Sequence, residues 1–303
     1  MSLKGKSVLI TGANGFIGKN LIKRLAKEEA EIYCIDKNQS ELKELIKKEY
    51  IIDIKNFEEL KKVISEINPN IIFHLAAFIN HSRDINLIKE TYEINVQGTI
   101  NMLMATKDIK YDLFIYPNTS ELYGDENETP FKENMKTKSM SPYSASKISA
   151  ENYCNLFLEV FNKPIAIFRM PVVYGPYQKG NMFIPSLINS IIKNKEFSMT
   201  KGEQHRDFIY VDDIMGAFII SCKKVIKGTF NLGSGKEIKL KEIAEYLQKS
   251  NNLTVKFDKP YRENEMWHYY LDISKIKKEL NWEPRYNIEE GLRKTIEWWK
   301  ENE

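Results

Sequence analysis

Residues 7–25 read SVLITGANGFIGKNLIKRL, and this stretch decides the fold. It begins with an apolar, β-branched run that is typical of a buried strand, and it ends with the spacing of an amphipathic helix. Gly12, Gly15 and Gly18 follow the strand at three-residue spacing, where the strand gives way to the helix. A strand, a glycine turn and a helix in this order predict the opening of a βαβ unit.

The first 170 residues repeat this alternation of short apolar runs and longer amphipathic ones. Because parallel strands joined by helical crossovers have this pattern, it predicts a doubly wound parallel α/β sheet, a Rossmann fold. Strands are predicted at residues 7–11, 31–36, 49–53, 71–76, 113–118 and 165–170, and helices at residues 16–28, 39–48, 57–67, 87–106 and 143–161.

After about residue 170 the alternation ends, and Gly, Pro and polar residues predict loops at residues 172–183 and 199–208. Residues 1–171 are expected to form the Rossmann domain, and residues 207–233 are expected to return to it. Residues 172–303 are expected to form mainly a smaller α/β C-terminal lobe. The sequence contains no repeat or long linker, so we expect the two parts to share a cleft beyond the carboxyl ends of the strands.

Composition places the chain among soluble globular proteins. The 45 basic and 42 acidic residues largely alternate, so nucleic acid is not expected as a partner. Cys34, Cys154 and Cys222 lie far apart, which predicts reduced packing residues rather than a disulfide framework or a metal site. No apolar run approaches the roughly 20 residues of a membrane span, and the N-terminus runs directly into a strand. We therefore expect a cytoplasmic protein without a membrane partner.

The glycine turn predicts a dinucleotide site, because glycines let a pyrophosphate approach the backbone N–H groups at a helix N-terminus. Asp36 ends the second predicted strand about 20 residues further on, where a carboxylate would bind the adenosine ribose hydroxyls and repel a 2′-phosphate. This position favours NAD over NADP; the alternative interpretation of Asp36 is a solvated strand end. Asp53 either meets the adenine or is an ordinary loop carboxylate.

Residues 141–149 read SPYSASKIS and place Tyr143 and Lys147 four residues apart, one helical turn from each other. Free tyrosine titrates at about pH 10, too high for a base at neutral pH. The Lys147 ammonium and a nicotinamide cation would favour the phenolate, lower the pKa of Tyr143 and make it a proton acceptor. The alternative is a chance Tyr-x-x-x-Lys pair, and the glycine turn earlier in the chain argues against it.

Seven motifs carry a family resemblance: TGANGFIG, HLAA, TSELYG, SPYSASK, VVYGP, RDFIYVDD and ELNWEP. Together they resemble the extended short-chain dehydrogenase/reductases, in particular the NAD-dependent epimerase/dehydratase family that modifies nucleotide sugars. The resemblance extends from residue 8 to about residue 299. It implies NAD as the cofactor, a nucleoside-diphosphate sugar as the substrate, and a homodimer held by a four-helix bundle of residues 87–106 and 143–161.

The resemblance also implies roles for single residues, with residues 1–171 as the NAD-binding domain and residues 172–303 as the substrate-binding lobe. Thr119 would hydrogen-bond the substrate oxygen, Tyr143 would be the catalytic acid/base, and Lys147 would hold the nicotinamide ribose. The expected cofactor contacts are Gly12, Asn14, Gly15, Phe16, Ile17, Gly18, Asp36, Lys37, Asp53, Ile54, Leu75, Ala76, Ala77, Asn95, Tyr143, Lys147 and Met170. The expected substrate contacts are His81, Arg83, Thr119, Ser120, Asn181, Arg206 and Arg262.

The implied reaction begins with oxidation of a sugar hydroxyl, at C4, by Tyr143 and NAD to give a 4-keto sugar. Glu121 matches a further catalytic acid/base of some sugar-nucleotide 4,6-dehydratases and of UDP-glucuronate decarboxylases, and it favours 4,6-dehydration. Val172 stands where many relatives have Asn, which removes a polar substrate contact. The chain length of 303 residues, which is short for a 4,6-dehydratase, favours a 4-epimerase or a 4-keto-6-deoxy-sugar-nucleotide reductase. A NAD-binding regulator without catalysis is the remaining alternative.

Overall fold

The computed structural model describes residues 2–251, 253–262 and 265–302. Its strands are β1 (Ser7–Thr11), β2 (Glu31–Asp36), β3 (Lys48–Ile51), β4 (Ile71–His74), β5 (Leu113–Thr119), β6 (Ile165–Met170), β7 (Val172–Tyr174), β8 (Phe197–Ser198), β9 (His205–Arg206), β10 (Phe208–Tyr210), β11 (Gly228–Asn231), β12 (Ile238–Lys239) and β13 (Val255–Lys256). Its α-helices are α1 (Phe16–Lys27), α2 (Phe57–Ile67), α3 (Ile88–Thr91), α4 (Gly98–Ala105), α5 (Pro142–Glu159), α6 (Phe183–Ile192), α7 (Val211–Lys224), α8 (Leu240–Asn251), α9 (Ser274–Leu280) and α10 (Ile288–Asn302).

Seven strands form one parallel sheet in the order β11-β6-β5-β4-β1-β2-β3. The strand β1 pairs with β2 on one side and with β4 on the other, so the chain reverses its direction of winding beside β1. This order confirms the predicted doubly wound α/β fold. The strand β11 pairs with β6 at one edge, which brings residues 228–231 into the same sheet as the first six strands. The division of the chain at residue 171 stays a prediction.

Both faces of the sheet are covered by apolar layers. Val8 and Ile10 belong to the layer that also contains buried residues of α1 and α7, whereas Leu9 belongs to the layer that contains residues of α2, α4 and α5. Successive side chains of a strand point to opposite faces, so a strand that is covered on both faces is apolar throughout. This burial explains the unbroken apolar run at the start of the sequence.

Three predictions of secondary structure, one helix and two loops, are wrong. Residues 39–48 form only one 3₁₀ turn, Lys43–Leu45, before β3 begins at Lys48. The Lys47 N–H already donates to the Ile32 carbonyl in β2 (2.8 Å), so the sheet takes residues that a helix would need. The predicted loops at residues 172–183 and 199–208 also contain strands, since β7 pairs with β10 and β9 pairs with β12.

The smaller C-terminal part is organised around the buried carboxylate of Asp207. This carboxylate accepts hydrogen bonds from the N–H groups of Ser234 (2.8 Å), Gly235 (3.3 Å) and Leu271 (3.3 Å), and from the Ser234 hydroxyl (2.6 Å). Burial raises the pKa of Asp207 to about 6. These bonds fix the loops at residues 234–235 and 271 against β9, which carries Arg206.

Among the described residues, no helix has the length and apolar character that a bilayer crossing requires. Cys34, Cys154 and Cys222 are buried and free, as the sequence predicts. Cys34 and Cys222 pack in the layer beneath α1 and α7, and Cys154 packs in the layer on the other face of the sheet.

Candidate active site

The residues singled out by the sequence collect at the carboxyl ends of the parallel strands. Gly12 follows β1, Asp36 ends β2, Leu75 follows β4, Thr119 ends β5 and Met170 ends β6. Because parallel strands all end at the same edge of their sheet, these positions lie along one crevice. The topology therefore brings together residues that lie up to 158 positions apart, from residue 12 to residue 170.

Two of the three glycines in the first turn are required by the fold. Gly12 has a φ of +68°, and a Cβ there would lie 2.6 Å from the Ala76 nitrogen. A Cβ on Gly18 would lie 2.5 Å from the carbonyl oxygens of both Gly12 and Ala13. A Cβ atom cannot lie so close to backbone atoms, so both positions require glycine. Gly12 lets the turn pack against the loop that follows β4, called the β4 loop. Gly18 lets α1 pack against the turn.

Gly15 is different, because a side chain there would make only one tight contact with the fold. Its φ is −70°, and a Cβ would meet only the Gly12 carbonyl oxygen, at 3.3 Å. Gly15 is exposed at the N-terminus of α1, where the first backbone N–H groups have no helical partner. A backbone without a side chain at this point lets a pyrophosphate approach these N–H groups closely. The residues present therefore fit a dinucleotide.

This difference predicts opposite effects of two alanine substitutions. Gly18→Ala is expected to destabilise the fold by about 1–3 kcal/mol, since backbone atoms must move. Gly15→Ala is expected to change stability by less than about 0.5 kcal/mol but to weaken NAD binding about tenfold, or 1.4 kcal/mol. Chemical unfolding and calorimetric titration with NAD measure the two effects. This interpretation would be wrong if Gly18→Ala kept the stability of the wild type and lost as much NAD affinity as Gly15→Ala.

Asp36 holds the glycine turn against the end of β2. Its carboxylate accepts hydrogen bonds from the N–H groups of Asn14 (3.0 Å) and Asn38 (3.1 Å). Each carboxylate oxygen keeps a further lone pair for a ribose hydroxyl. The Asn14 side chain donates to the Asn38 carbonyl (2.5 Å), and its buried Oδ1 lacks a hydrogen-bond partner among the described residues. Asp36 thus has both a structural role and capacity for the ribose.

The predicted adenine contacts lie on the neighbouring loop. The Lys37 ammonium pairs with the Asp53 carboxylate at 3.2 Å, and both side chains are partly exposed. Burial opposes ionisation of Asp53, but the Lys55 N–H and the Lys37 ammonium outweigh it and lower the pKa of Asp53. The Ile54 side chain packs on Gly98 and is buried, so only its backbone is available to a ligand. Phe16 and Ile17 are half-buried in the first turn of α1.

The β4 loop is held in place by a buried histidine. His74 lies between the Thr11 hydroxyl (2.7 Å) and the Thr99 hydroxyl (3.1 Å). Burial lowers the pKa of His74 to about 3, so the ring is neutral at physiological pH. The Thr11 hydroxyl also accepts a hydrogen bond from the Ala76 N–H (3.3 Å), and the Leu75 N–H donates to the Thr11 carbonyl (3.1 Å). These bonds position the backbone of residues 75–77 beside the glycine turn.

Asn95 joins this loop to the helix that carries Tyr143. Its amide oxygen accepts from the Phe78 N–H (2.7 Å), and its amide nitrogen donates to the Phe78 carbonyl and the Ser146 hydroxyl (both 2.9 Å). Asn95 belongs to a π-helical segment, Tyr92–Gln97, that joins α3 to α4, and such segments are frequent at functional sites. Its polar groups are engaged within the protein, so Asn95 positions the walls of the cleft.

Tyr143 and Lys147 lie on the buried side of α5. Ser141 begins this helix with a capping box, in which Ser141 and Ser144 satisfy each other's backbone N–H groups. The Lys147 ammonium donates to the Pro117 carbonyl (2.8 Å) and lies 4.2 Å from the ring centre of Tyr116. Burial lowers the pKa of Lys147 to about 7.

The acidity of Tyr143 differs from the sequence prediction. Burial raises the pKa of Tyr143, the Glu121 carboxylate raises it further, and a hydrogen bond with Thr119 lowers it only in part. The prediction that Lys147 lowers this pKa is wrong for the protein's own groups, because burial of the phenol dominates. Tyr143 is thus held as the neutral phenol until additional positive charge comes close to it.

Glu121 lies beside Tyr143 and is tied to two further polar groups. Its Oε2 lies 2.5 Å from His81 Nδ1, and its Oε1 accepts from the Ser141 hydroxyl at 2.5 Å. Burial opposes ionisation, but the His81 and Ser141 bonds outweigh it and lower the pKa of Glu121. The His81 ring also packs edge-on against the Tyr143 ring, with centroids 5.1 Å apart. Glu121 is therefore a carboxylate next to the Tyr143 phenol.

The predicted substrate contact of Ser120 is wrong. Ser120 is fully buried, and its hydroxyl donates to the Met170 carbonyl (3.0 Å) and pairs with the Tyr269 hydroxyl. The Met170 side chain is also 9% exposed and belongs to the core. Ser120 therefore anchors the turn that carries Thr119 and Glu121, and it does not face the cleft.

The four remaining substrate candidates are only partly free. Arg206 donates to the carbonyls of His205 (2.7 Å) and Met266 (2.6 Å) and pairs with the Glu265 carboxylate (2.6 Å). These bonds fix its guanidinium and use part of its donor capacity. The other three side chains, Arg83, Asn181 and Arg262, are exposed. Sequence alone could not show that Glu265 neutralises Arg206.

One polar network behind the site was missed in the sequence. Arg169 in β6 and Glu151 in α5 form a buried ion pair at 2.5 Å, with side chains 8% and 5% exposed. Asn118 in β5 donates to the same carboxylate, and the Arg169 guanidinium donates to the Tyr123 hydroxyl at 2.9 Å. An arginine inside the apolar run of residues 165–170 was the available signal, because arginine is rarely buried without a partner.

A second cluster of polar side chains lies in the C-terminal part. Ligand atoms of His205, Glu237 and His268 lie within 4.8 Å of one another. The two imidazole rings are stacked nearly parallel, at 15°, so their in-plane lone pairs do not converge on one point. We assign no metal to this cluster.

Comparison with known proteins agrees with this geometry. Residues 9–295 match the family GDP-mannose 4,6 dehydratase. UDP-glucuronate 4-epimerase of Thermodesulfobacterium geofontis is 33% identical, over 97% of this chain and 96% of the relative. dTDP-glucose 4,6-dehydratase of Haemophilus influenzae is 28% identical, over 97% of each chain.

A solved structure of UDP-glucuronic acid 4-epimerase from Bacillus cereus, in complex with UDP-glucuronic acid and NAD, superposes with a TM-score of 0.88. It is 29% identical and the alignment covers 98% of this chain and 99% of that one. The family match spans nearly the whole chain, and the glycine turn fits the dinucleotide. The protein is therefore a NAD-dependent enzyme of the nucleotide-sugar epimerase/dehydratase family, within the extended short-chain dehydrogenase/reductases.

Proposed function

We propose that the enzyme is a nucleotide-sugar 4,6-dehydratase that oxidises its substrate at C4. The observation that carries this proposal is the Glu121 carboxylate beside Tyr143, held by His81 and Ser141. A 4-keto group makes the neighbouring C5 proton acidic, and a carboxylate at this position is a suitable base for it. An enzyme that only inverts C4 has no use for such a base.

In the first step, Thr119 positions the C4 hydroxyl by a hydrogen bond and Tyr143 accepts its proton. NAD supplies the chemistry that the side chains lack: it accepts a hydride, and the positive charge of its nicotinamide favours the phenolate of Tyr143. Lys147 contributes a hydrogen-bond donor for the nicotinamide ribose. Thr119 is fixed for this task, since its N–H donates to Asn118 (2.8 Å) and its hydroxyl accepts from the Glu121 N–H (3.1 Å).

In the second step, Glu121 removes the C5 proton and the C6 hydroxyl departs as water. Return of the hydride to C6 and of a proton to C5 would then give the 4-keto-6-deoxy sugar and restore NAD, so that no added reductant is needed. The low pKa of Glu121 keeps it ionised at neutral pH, so it is ready to act as a base. Each of its oxygens accepts one hydrogen bond and retains a second lone pair. The carboxylate is therefore positioned without being blocked.

The nucleotide diphosphate is assigned to the arginines of the C-terminal part. Arg206 is fixed by Glu265 and presents a preorganised planar fork, which suits paired hydrogen bonds to phosphate oxygens. Arg262, Asn181 and Arg83 are exposed and free to close on a bound substrate. Relatives named for UDP- and dTDP-sugars support a nucleoside-diphosphate sugar as the substrate class.

A 4-epimerase is the second candidate, and the burial of Ser120 favours it. With the Ser120 hydroxyl buried, the Thr119-Ser120-Glu121 turn offers no group besides Glu121 for proton transfer at C5 and C6, whereas epimerisation at C4 needs none there. Two of the similar proteins are also named as 4-epimerases. A reductase is less favoured because Asp36 selects against the 2′-phosphate of NADP. The set of Thr119, Tyr143 and Lys147 argues against a regulator without catalysis.

Product analysis without added NADH distinguishes these functions. The enzyme is incubated with UDP-, GDP-, dTDP- and CDP-sugars, and the products are examined by mass spectrometry and chromatography. We expect one sugar nucleotide to lose one water and to gain a carbonyl group. An unchanged mass with a new retention time would instead establish an epimerase. Turnover that requires added NADH would establish a reductase and overturn the proposal.

We also propose that the enzyme is a homodimer joined through α3, α4 and α5. Large apolar side chains are exposed on this surface: Ile88 (53%), Tyr92 (53%), Leu156 (40%), Val160 (62%) and Phe161 (54%). A stripe of this kind is suited to a four-helix bundle with a second copy. Light scattering should give twice the monomer mass of 35.5 kDa, and a monomer mass would contradict the dimer.

Three free, buried cysteines support a reducing compartment. We therefore propose a cytoplasmic location, which fits the intracellular supply of nucleotide sugars and NAD. Fractionation of the source cells tests it directly.

A further inference from the structure

Elimination of water from the keto sugar needs a proton donor as well as a base. Hydroxide is a poor leaving group, so the C6 oxygen must be protonated as its bond to carbon breaks. Glu121 cannot do both tasks at once. Ser120 lies between Thr119 and Glu121 in the sequence, but it is fully buried. Its hydroxyl is bonded to the Met170 carbonyl and the Tyr269 hydroxyl. The donor must come from another element.

His81 is the one imidazole beside this turn among the described residues. It lies on the loop after β4, 40 positions before Glu121, and its Nδ1 is 2.5 Å from Glu121 Oε2. This bond fixes the ring and leaves Nε2 for another partner. The side chain is 42% exposed, so the ring is accessible to solvent.

The ring of His81 also marks the direction of the substrate. It meets the Tyr143 ring edge-on, with centroids 5.1 Å apart and an angle of 77° between the planes. A sugar whose C4 hydroxyl reaches Tyr143 has C5 and C6 within a few ångströms of that hydroxyl. The His81 imidazole, which also holds the Glu121 carboxylate, is therefore close enough to Tyr143 to meet a sugar that is bound there.

We propose that His81 is the general acid that protonates the departing C6 oxygen while Glu121 takes the C5 proton. This inference rests on the proposed 4,6-dehydratase function. The C5–H bond breaks and its proton moves to Glu121, and the electron pair forms the C5=C6 double bond. The C6–O bond breaks, and the oxygen takes a proton from His81 Nε2 and leaves as water. His81 ends neutral and Glu121 ends protonated, and solvent can recharge the exposed imidazole.

The test compares two leaving groups at C6. The substrates are the sugar nucleotide that the wild type dehydrates and its 6-deoxy-6-fluoro analogue. Fluoride departs without a proton, so a missing general acid matters only for the hydroxyl substrate. In His81→Gln, we expect loss of water to slow about 10²- to 10³-fold and loss of fluoride to stay within a few-fold of wild type. In Glu121→Gln, we expect both eliminations to slow strongly, because the base is needed for each.

A matched control is available in the C-terminal part. His268 makes the same kind of contact, with Nδ1 2.9 Å from the Glu237 carboxylate, on an exposed surface. His268→Gln should leave both eliminations unchanged. Thermal unfolding shows whether His81→Gln is folded, and NAD titration shows whether it binds the cofactor.

The outcomes separate the two proposals. If the wild type dehydrates no sugar nucleotide, the proposed function fails. If the wild type dehydrates and His81→Gln loses water at the wild-type rate, only the role of His81 is overturned. Equal slowing of both leaving groups in His81→Gln would make His81 a positioning residue and would also overturn its role as an acid.

Discussion

Replacing Tyr143 with Phe is expected to lower kcat by about 10²- to 10⁴-fold, the usual contribution of a positioned proton acceptor. The substitution removes one oxygen and leaves the ring that packs against His81 in place. Because the phenol is buried, its removal leaves no hydroxyl at this position that could accept the C4 proton of the substrate. Binding of the nucleotide sugar should stay within a few-fold of wild type.

Steady-state kinetics and calorimetric titration of Tyr143→Phe measure these two quantities. Tyr50→Phe is a suitable control, since Tyr50 lies in β3 at the edge of the sheet and its hydroxyl donates to the surface residue Glu66 (3.1 Å). The control should retain full turnover. Unchanged turnover in Tyr143→Phe would remove Tyr143 from the chemistry.

Glu151→Gln is expected to destabilise the fold by about 3–5 kcal/mol, the typical cost of breaking a buried ion pair by removing one partner. The substitution leaves the Arg169 guanidinium buried without its counter-charge. The pair joins α5 to β6, and Asn118 joins the same carboxylate to β5. Its loss should therefore also make the positions of Tyr143 and Lys147 relative to Thr119 less fixed. We expect a lower kcat without a selective effect on KM.

Urea unfolding measures the change in the free energy of unfolding. The exposed pair of Arg293 and Glu297 (3.1 Å) provides the control, because its side chains are 59% and 55% exposed. Glu297→Gln should change stability by less than about 1 kcal/mol. A change of the same small size in Glu151→Gln would show that the buried pair is not needed for the fold.

The sequence predicted the sheet well because its signal is local. Each strand of the first domain is a short apolar run, and burial on both faces requires such runs wherever they occur. The helix predicted over residues 39–48 failed, because pairing with β2 overrode the helical pattern. The pairs β7-β10 and β9-β12 were also missed, since strands of two or three residues leave no periodic pattern.

The active site was predictable as a set of residues but not as an arrangement. The glycine turn, Thr119, Tyr143 and Lys147 are separate local motifs whose meeting follows from the topology. The contact between His81 and Glu121 joins a loop after β4 to a turn after β5, and no spacing in the sequence predicts it. The inward position of Ser120 likewise depends on Tyr269, which is 149 positions away.

The acidity of Tyr143 was mispredicted for a physical reason. Helical spacing shows that Lys147 is near, but it does not show how deeply the phenol is buried. Burial favours the neutral form of both groups, so it raises the pKa of Tyr143 and lowers that of Lys147. Charge proximity and desolvation oppose each other here, and desolvation dominates.

The sharpest test of the proposed site is a crystal structure of Tyr143→Phe with NAD and the nucleotide sugar, because we expect this variant to bind its substrate without turning it over. We expect the C4 oxygen of the sugar at about 3 Å from Thr119 Oγ1, with C5 and C6 facing Glu121 and His81. A bound sugar whose C4 oxygen points away from Thr119 and from the ring at position 143 would contradict it.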